Sequence, residues 1–88
     1  MSLLGNTGTI DRAIETAIRE AIPDAKDVDV RANGNHFTLR VVAASFEGRS
    51  MIQKHRMVLS AVSPFMSGDD AQVHAIDQLV CEIPGEEA

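Results

Sequence analysis

Apolar residues at Ile10, Ala13, Ile14, Ala17, Ile18, Ala21 and Ile22 recur every three or four positions, the stripe of an amphipathic helix that buries one face. Thr9 stands at the N-cap position and Pro23 ends the run. Beyond it the period changes to two. Val28 and Val30 alternate with Asp27, Asp29 and Arg31. After Asn33-Gly34, a pair suited to a type I′ turn, alternation resumes through His36, Phe37, Thr38, Leu39, Arg40, Val41, Val42 and Ala43. The pattern predicts a β-hairpin whose second strand buries Phe37, Leu39, Val41 and Ala43.

The stretch FEGRSMIQKHRMV, residues 46 to 58, predicts a second helix. Gly48 breaks the extended pattern, and Ser50 can accept from the first free amides of a helix. Met51, Ile52, His55, Val58, Leu59 and Val62 fall on one face, so His55 is expected as a packed, hydrogen-bonded core residue. Lys54 and Arg56 lie beside or behind that stripe, where their stems cover apolar surface and their heads stay wet. A link from Phe65 to Gln72 then leads to VHAIDQLVCEI. There Val73, Ala75, Leu79, Cys81 and Ile83 share the apolar parity, and His74, Gln78 and Glu82 the other.

The order helix, strand, strand, helix, strand predicts one small α+β domain with a three-stranded mixed sheet over residues 9–84. Residues 1–8 are expected to be a disordered N-terminus and residues 85–88 a C-terminal tail. A strand, helix and further strand of one sheet join by a right-handed crossover, which makes strands two and three parallel. His36 opens strand two and His74 is the second residue of strand three, so both are expected at the rim that carries the Asn33-Gly34 turn. Adjacent strands lie about 4.8 Å apart, and two imidazoles at that separation can converge on one metal. Two histidines do not fill a coordination sphere, and Cys81 is expected near the far end of strand three. Any metal at the rim would be shared with a partner.

Charge and composition narrow the classes of function. The chain has 88 residues, a formal charge of -5, one cysteine, three phenylalanines and neither tryptophan nor tyrosine. One cysteine forms no internal disulfide, and no apolar run reaches membrane-spanning length, so a soluble, cytoplasmic protein is expected. Between Arg40 and Arg56 four basic residues face the single acid Glu47, whereas from Met57 onward there are six acids and no Lys or Arg. The net acidity argues against the basic footprint of a nucleic-acid-binding domain. Phosphate-cradling glycine loops, a serine elbow and a cysteine–histidine dyad are all missing, so catalysis is not expected.

Phe46, Gly48, the Lys54-His55-Arg56 triplet and His74-Ala75, in that order, resemble the signature of the BolA-like proteins over about residues 9–84. The resemblance implies a fold like a class II KH domain. It also implies a non-enzymatic role beside a monothiol glutaredoxin, with which BolA-like proteins share a two-iron two-sulfur cluster completed by the glutaredoxin cysteine and glutathione. The family's iron ligands match His74 and, from the first hairpin, His36. Phe46, Gly48 and His55 are then structural signature residues, and Arg49, Lys54 and Arg56 a basic surface for the partner, for glutathione or for DNA. A hairpin without cysteine resembles the histidine-bearing, bacterial-type members and implies a more labile or functionally different cluster, because imidazole donates less charge to iron than thiolate. The family's Thr-Pro-x-x-Trp ending is replaced by Ile83-Pro84-Gly85-Glu86-Glu87-Ala88, which leaves a third helix without its usual sequence. The alternatives are a KH-like nucleic-acid-binding regulator of transcription or stress, and a homodimerising adaptor.

Overall fold

The computed structural model describes residues 5–68 and 71–86. Its elements run α1 (Gly5–Ala21), β1 (Ala25–Asn33), β2 (His36–Ala43), α2 (Met51–Val62) and β3 (Ala75–Glu82), with short 3-10 turns at Ala44–Phe46 and Ser63–Phe65. The α+β class and the order of elements follow the apolar periodicities. The expectations for residues 1–4, 87 and 88 lie outside the described residues.

α1 begins at Gly5, four positions before the expected Thr9 cap. Once a helix has nucleated downstream, each added residue costs only propagation, so the N-terminal turn extends through weak helix formers. Ile14, Ile18 and Ile22 form its buried stripe at 0, 0 and 2% exposure. Pro23 ends the helix by withholding an amide, and Ile22 O accepts from Ala25 N at 3.0 Å as the chain turns into β1.

The sheet has the order β1-β2-β3, with β1 and β2 antiparallel and β2 and β3 parallel. In the hairpin Asn33 pairs with His36. The two-residue turn is therefore Gly34-Asn35, one position later than the Asn33-Gly34 pair expected. Gly34 supplies the positive φ, 67°, at little steric cost. This slip places Asn35 where its carbonyl and side chain meet the start of β3.

β3 departs from simple alternation. Phe37 pairs with Ile76 but Thr38 with Gln78, so Asp77 is the extra residue of a bulge. A bulge moves the residues before it to the opposite face. Ile76, rather than the expected Ala75, packs against the core together with Leu79, Cys81 and Ile83.

α2 carries the expected start: Ser50 Oγ accepts from Gln53 N, and Gln53 Oε1 accepts from Ser50 N, a capping box. Its buried face is not the one expected. Val58 and Val62 are fully buried, with Met57 and Ala61 packed beside them, whereas Met51, Ile52 and Leu59 are 70, 63 and 37% exposed. His55 is half-buried and outside the core. The helix turns Val58 and Val62 into the core with the isoleucines of the α1 stripe, which leaves Met51 at a groove beside β3 and Ile52 exposed. Phe46 is fully buried and Gly48, at φ 80°, turns the chain into the helix. Each fully buried Phe or Ile side chain contributes about 1.5–3 kcal/mol relative to exposure.

Candidate metal-binding site

The rim begins with the parallel register. His36 is paired with Ala75, and His74, one residue before β3 rather than inside it, donates its backbone N–H to Asn35 O at 2.9 Å. Both histidines are exposed at the hairpin end of the sheet. The topology has brought together residues 38 positions apart, as a right-handed crossover requires.

Each imidazole is held by a different neighbour. His36 Nδ1 lies 2.9 Å from Asp77 Oδ1. An ionised carboxylate only accepts, so Nδ1–H donates and the neutral ring keeps its lone pair on Nε2, free to bind a metal. A carboxylate behind a histidine is the arrangement that fixes tautomer and raises ligand basicity at metal sites. With side chains 51 and 52% exposed, the His36–Asp77 pair stays within reach of a second molecule.

His74 Nδ1 lies 3.0 Å from Asn35 Nδ2. The amide nitrogen donates, so Nδ1 accepts and the neutral ring carries its proton on Nε2. Turning the Asn35 amide over would present Oδ1 to an Nδ1–H and free Nε2 for a metal. By strand alternation His36 shares a face with Ala75, and His74 follows Asn35. The structure thus brings both imidazoles to one rim but from opposite faces of the sheet, each with its own neighbour, Asp77 for His36 and Asn35 for His74.

Among the described residues no group of three or more His, Cys, Asp or Glu side chains is placed to hold a metal ion. Cys81 pairs with Val41, six residues beyond Ala75, which puts it about 20 Å along the strand. Burial pushes its thiol up to about 11, offset in part by Lys54. A thiol so disposed is a poor metal ligand at neutral pH. The donor set supplies one free nitrogen as it stands, His36 Nε2, and a second, His74 Nε2, once the Asn35 amide is turned over.

The basic residues do not join this rim. Arg49 donates from Nε to Ser45 O at 2.9 Å, beyond the far end of β2. Lys54 lines a groove with Leu79, Val80 and Cys81, well along β3. Arg56 is exposed on α2. His55 lines the same groove as Lys54. Across the outer face Arg40 bridges Glu82 at 2.9 Å and Asp27 at 3.5 Å, which ties the three strands together at that end.

Asp77 and Asn35 escaped the sequence reading. The bulge that turns Asp77 toward His36 has no periodic signature, and Asn35 reaches His74 only because the hairpin turn is shifted by one residue.

A family profile described as BolA-like protein matches residues 12–86. The chain is 32% identical over 81 residues to BolA-like protein 1 of Bos taurus, covering 82% of this chain and 58% of that one. It therefore spans little more than half the length of this curated relative. Among solved structures, BolA1 from Mus musculus superimposes with a TM-score of 0.72 at 28% identity, over 90% of this chain and 68% of that one. The BolA domain of SufE1 from Arabidopsis thaliana gives 0.74 at 21% identity, covering 91 and 98%, a likeness of fold.

Proposed function

The chain belongs to the BolA-like protein family, and from that premise we propose that it is a non-enzymatic accessory protein in iron-sulfur cluster handling or iron sensing. It partners a monothiol glutaredoxin and offers His74 and His36 to a shared two-iron two-sulfur cluster. The supporting observation is the pair of exposed imidazoles at one rim, with His36 Nδ1 held by Asp77 so that Nε2 keeps the lone pair of the neutral ring. When bound, the cluster would supply electron-transfer or iron-sensing chemistry, completed by the glutaredoxin cysteine and glutathione. The chain's own part is to hold His36 Nε2 ready, to release His74 Nε2 by turning the Asn35 amide over, and to keep the rim open to the partner. Protons compete with metal for imidazole nitrogen, so acidification should weaken this half of the site.

The test is reconstitution with a monothiol glutaredoxin, glutathione, iron and sulfide, followed by visible circular dichroism. A coloured 1:1 complex is expected. His74→Ala should remove the histidine-dependent bands, and His36→Ala should weaken or shift them. Identical spectra for wild type and His74→Ala would refute the ligand assignment.

A nucleic-acid-binding regulator is the second reading, and its support is local: from Gly48 to Gly68 the chain carries Arg49, Lys54 and Arg56 and no acid. The run Gly5-Asn6-Thr7-Gly8 has the spacing of the KH clamp, but it forms the start of α1 rather than a loop between two helices. Duplex DNA binding that weakens steeply with salt and is lost on neutralising those three residues would favour this reading. Absence of binding at low salt would dismiss it.

A further inference from the structure

Of the three histidines, His36 is held by Asp77 and His74 by Asn35, whereas His55 makes no hydrogen bond or ion pair among the described residues. It is half-buried, a position in which a polar side chain normally has a partner. The ring lines a groove of about 260 Å³ between α2 and β3, together with Met51, Lys54, Leu79, Val80 and Cys81. Three of these side chains are metal donors, a thioether, an imidazole and a thiol. Met51 and His55 stand four residues apart on α2, which puts them on one face with Cβ atoms about 5–6 Å apart. Ligands at that helical spacing reach a single ion. Cys81 comes from the opposite wall: it is half-buried and packs on the core side of β3, the side that Val58 and Val62 of α2 cover. Met51 is 70% exposed, and a thioether on three rotatable bonds can swing inward.

Softness and charge decide which ion fits. Thiolate and thioether sulfur select Cu(I) over the harder divalent ions. Burial keeps the Cys81 thiol protonated at neutral pH, against the pull of Lys54. That proton makes it a poor ligand for ions that bind sulfur weakly, but a thiol that coordinates is deprotonated outright. A monovalent ion then replaces one positive charge by another, and Lys54 beside it is not opposed. A divalent ion would leave an added charge facing Lys54. Asp77 and Glu82, on β3 before and after the groove residues, favour a cation there over an anion.

We propose that Met51, His55 and Cys81 form a binding site for one soft monovalent ion, Cu(I), in the groove between α2 and β3. On binding, the Cys81 S–H bond breaks, a sulfur–copper bond forms and the proton leaves to water, with no change of oxidation state. His55 supplies a neutral ring nitrogen and Met51 a sulfur lone pair. The site is separate from the histidine rim, because Cys81 lies six residues beyond Ala75 on β3, about 20 Å along the strand.

The experiment uses the full chain without glutaredoxin, labelled with ¹⁵N and with ¹³C at the methionine methyls. It is titrated under argon with Cu(I), added as its acetonitrile complex, in competition with a chromophoric Cu(I) chelator. The protein should withdraw a single equivalent of copper and release a proton for it. The Met51 methyl and the His55 ring should shift, and the Met57 and Met66 methyls should stay in place. The double variant His36→Ala, His74→Ala should bind as the wild type does. Cys81→Ser should abolish binding. Met51→Leu, at an exposed position that leaves the metal-free spectrum otherwise unchanged, should weaken it, as should His55→Gln. No copper withdrawn from the chelator, unchanged affinity in Cys81→Ser or Met51→Leu, or shifts confined to His36 and His74 would overturn the proposal. Zn²⁺ holding the groove as tightly as Cu(I) would overturn the choice of a soft ion. None of these outcomes bears on cluster ligation, which fails or stands in the reconstitution experiment.

Discussion

His36 Nδ1 and Asp77 Oδ1 stand 2.9 Å apart across the β2–β3 boundary, although 41 positions separate the residues in the chain. The bulge at Asp77 makes this meeting, and it fixes which ring nitrogen of His36 is free. Loss of a carboxylate behind a metal-binding histidine commonly costs 10–100-fold in affinity. Asp77→Asn should therefore weaken Co²⁺ or Zn²⁺ binding by about that factor, with the fold intact by far-UV circular dichroism. Equal affinities for wild type and Asp77→Asn, in a protein whose binding His36→Ala abolishes, would show that the carboxylate has no part in the site.

Asn35 governs His74 in a different way. Its amide now donates to Nδ1 across 3.0 Å, which places the neutral ring's proton on Nε2. Long-range ¹H–¹⁵N correlation should find His74 in that tautomer without metal. Asn35→Asp can only accept when ionised, so it should reverse the tautomer, free Nε2 and tighten metal binding. Unchanged tautomer and affinity in Asn35→Asp would remove Asn35 from the account.

Cys81 offers a pH test away from the rim. Its thiol is pushed up to about 11 from an ordinary 9.0, first by burial and against the pull of Lys54. The thiolate is the reactive form, so the alkylation rate by iodoacetamide should rise with a midpoint near 11. Because the folded value is raised, any stability tied to the neutral thiol is present below 9.0 and lost as pH rises through about 11. Lys54→Met should move the alkylation midpoint higher still. A midpoint at the ordinary value would mean the thiol is solvated.

Much of this architecture is legible in the apolar period, and the exceptions share one cause. Ile14, Ile18 and Ile22, then Phe37, Leu39 and Val41, recur at spacings that only one element type satisfies, and these residues are the core. The parallel arrangement of β2 and β3 follows from the helical crossover that joins them. Periodicity does not encode one-residue slips. The hairpin turn moved from Asn33-Gly34 to Gly34-Asn35 and the bulge arose at Asp77, and those two slips supply the second residue behind each histidine. The face of α2 was misread for a related reason. Met51, Ile52 and Leu59 fit an apolar stripe, yet with Val58 and Val62 turned toward α1's isoleucines no surface remains to cover them. Thus the placement of both histidines at the hairpin end could be read from sequence, whereas the groups that hold them and the groove needed coordinates.

Phe46 and Gly48 should behave as fold residues. Phe46 is fully buried, and Phe46→Ala is expected to lower unfolding free energy by about 3–5 kcal/mol. Gly48 has φ 80° with no heavy atom within 4 Å of an added Cβ, so Gly48→Ala suffers from backbone conformation alone, about 1–2 kcal/mol. Urea titrations would measure both. A larger loss at Gly48 than at Phe46 would contradict the assignment of the strain to φ.

The far end of the sheet is held by Asp24, whose carboxylate accepts from Ser45 N at 2.7 Å and from Ser45 Oγ at 2.9 Å. The hydroxyl bond is the leading cause that holds Asp24 below its ordinary 3.8, and desolvation opposes it. A depressed folded value means that the stabilisation is present above 3.8 and fades as pH falls through the lower folded value. Carboxyl ¹³C titration should find Asp24 below 3.8 in the wild type and closer to it in Ser45→Ala. Ser45 O also accepts from Arg49, so loss of the Asp24 bond should loosen the Arg49 side chain while leaving the His36 and His74 signals unmoved. Shifts of both histidines in Ser45→Ala would instead mean that the two ends of the sheet are coupled, and the basic group could then no longer be treated as separate from the rim.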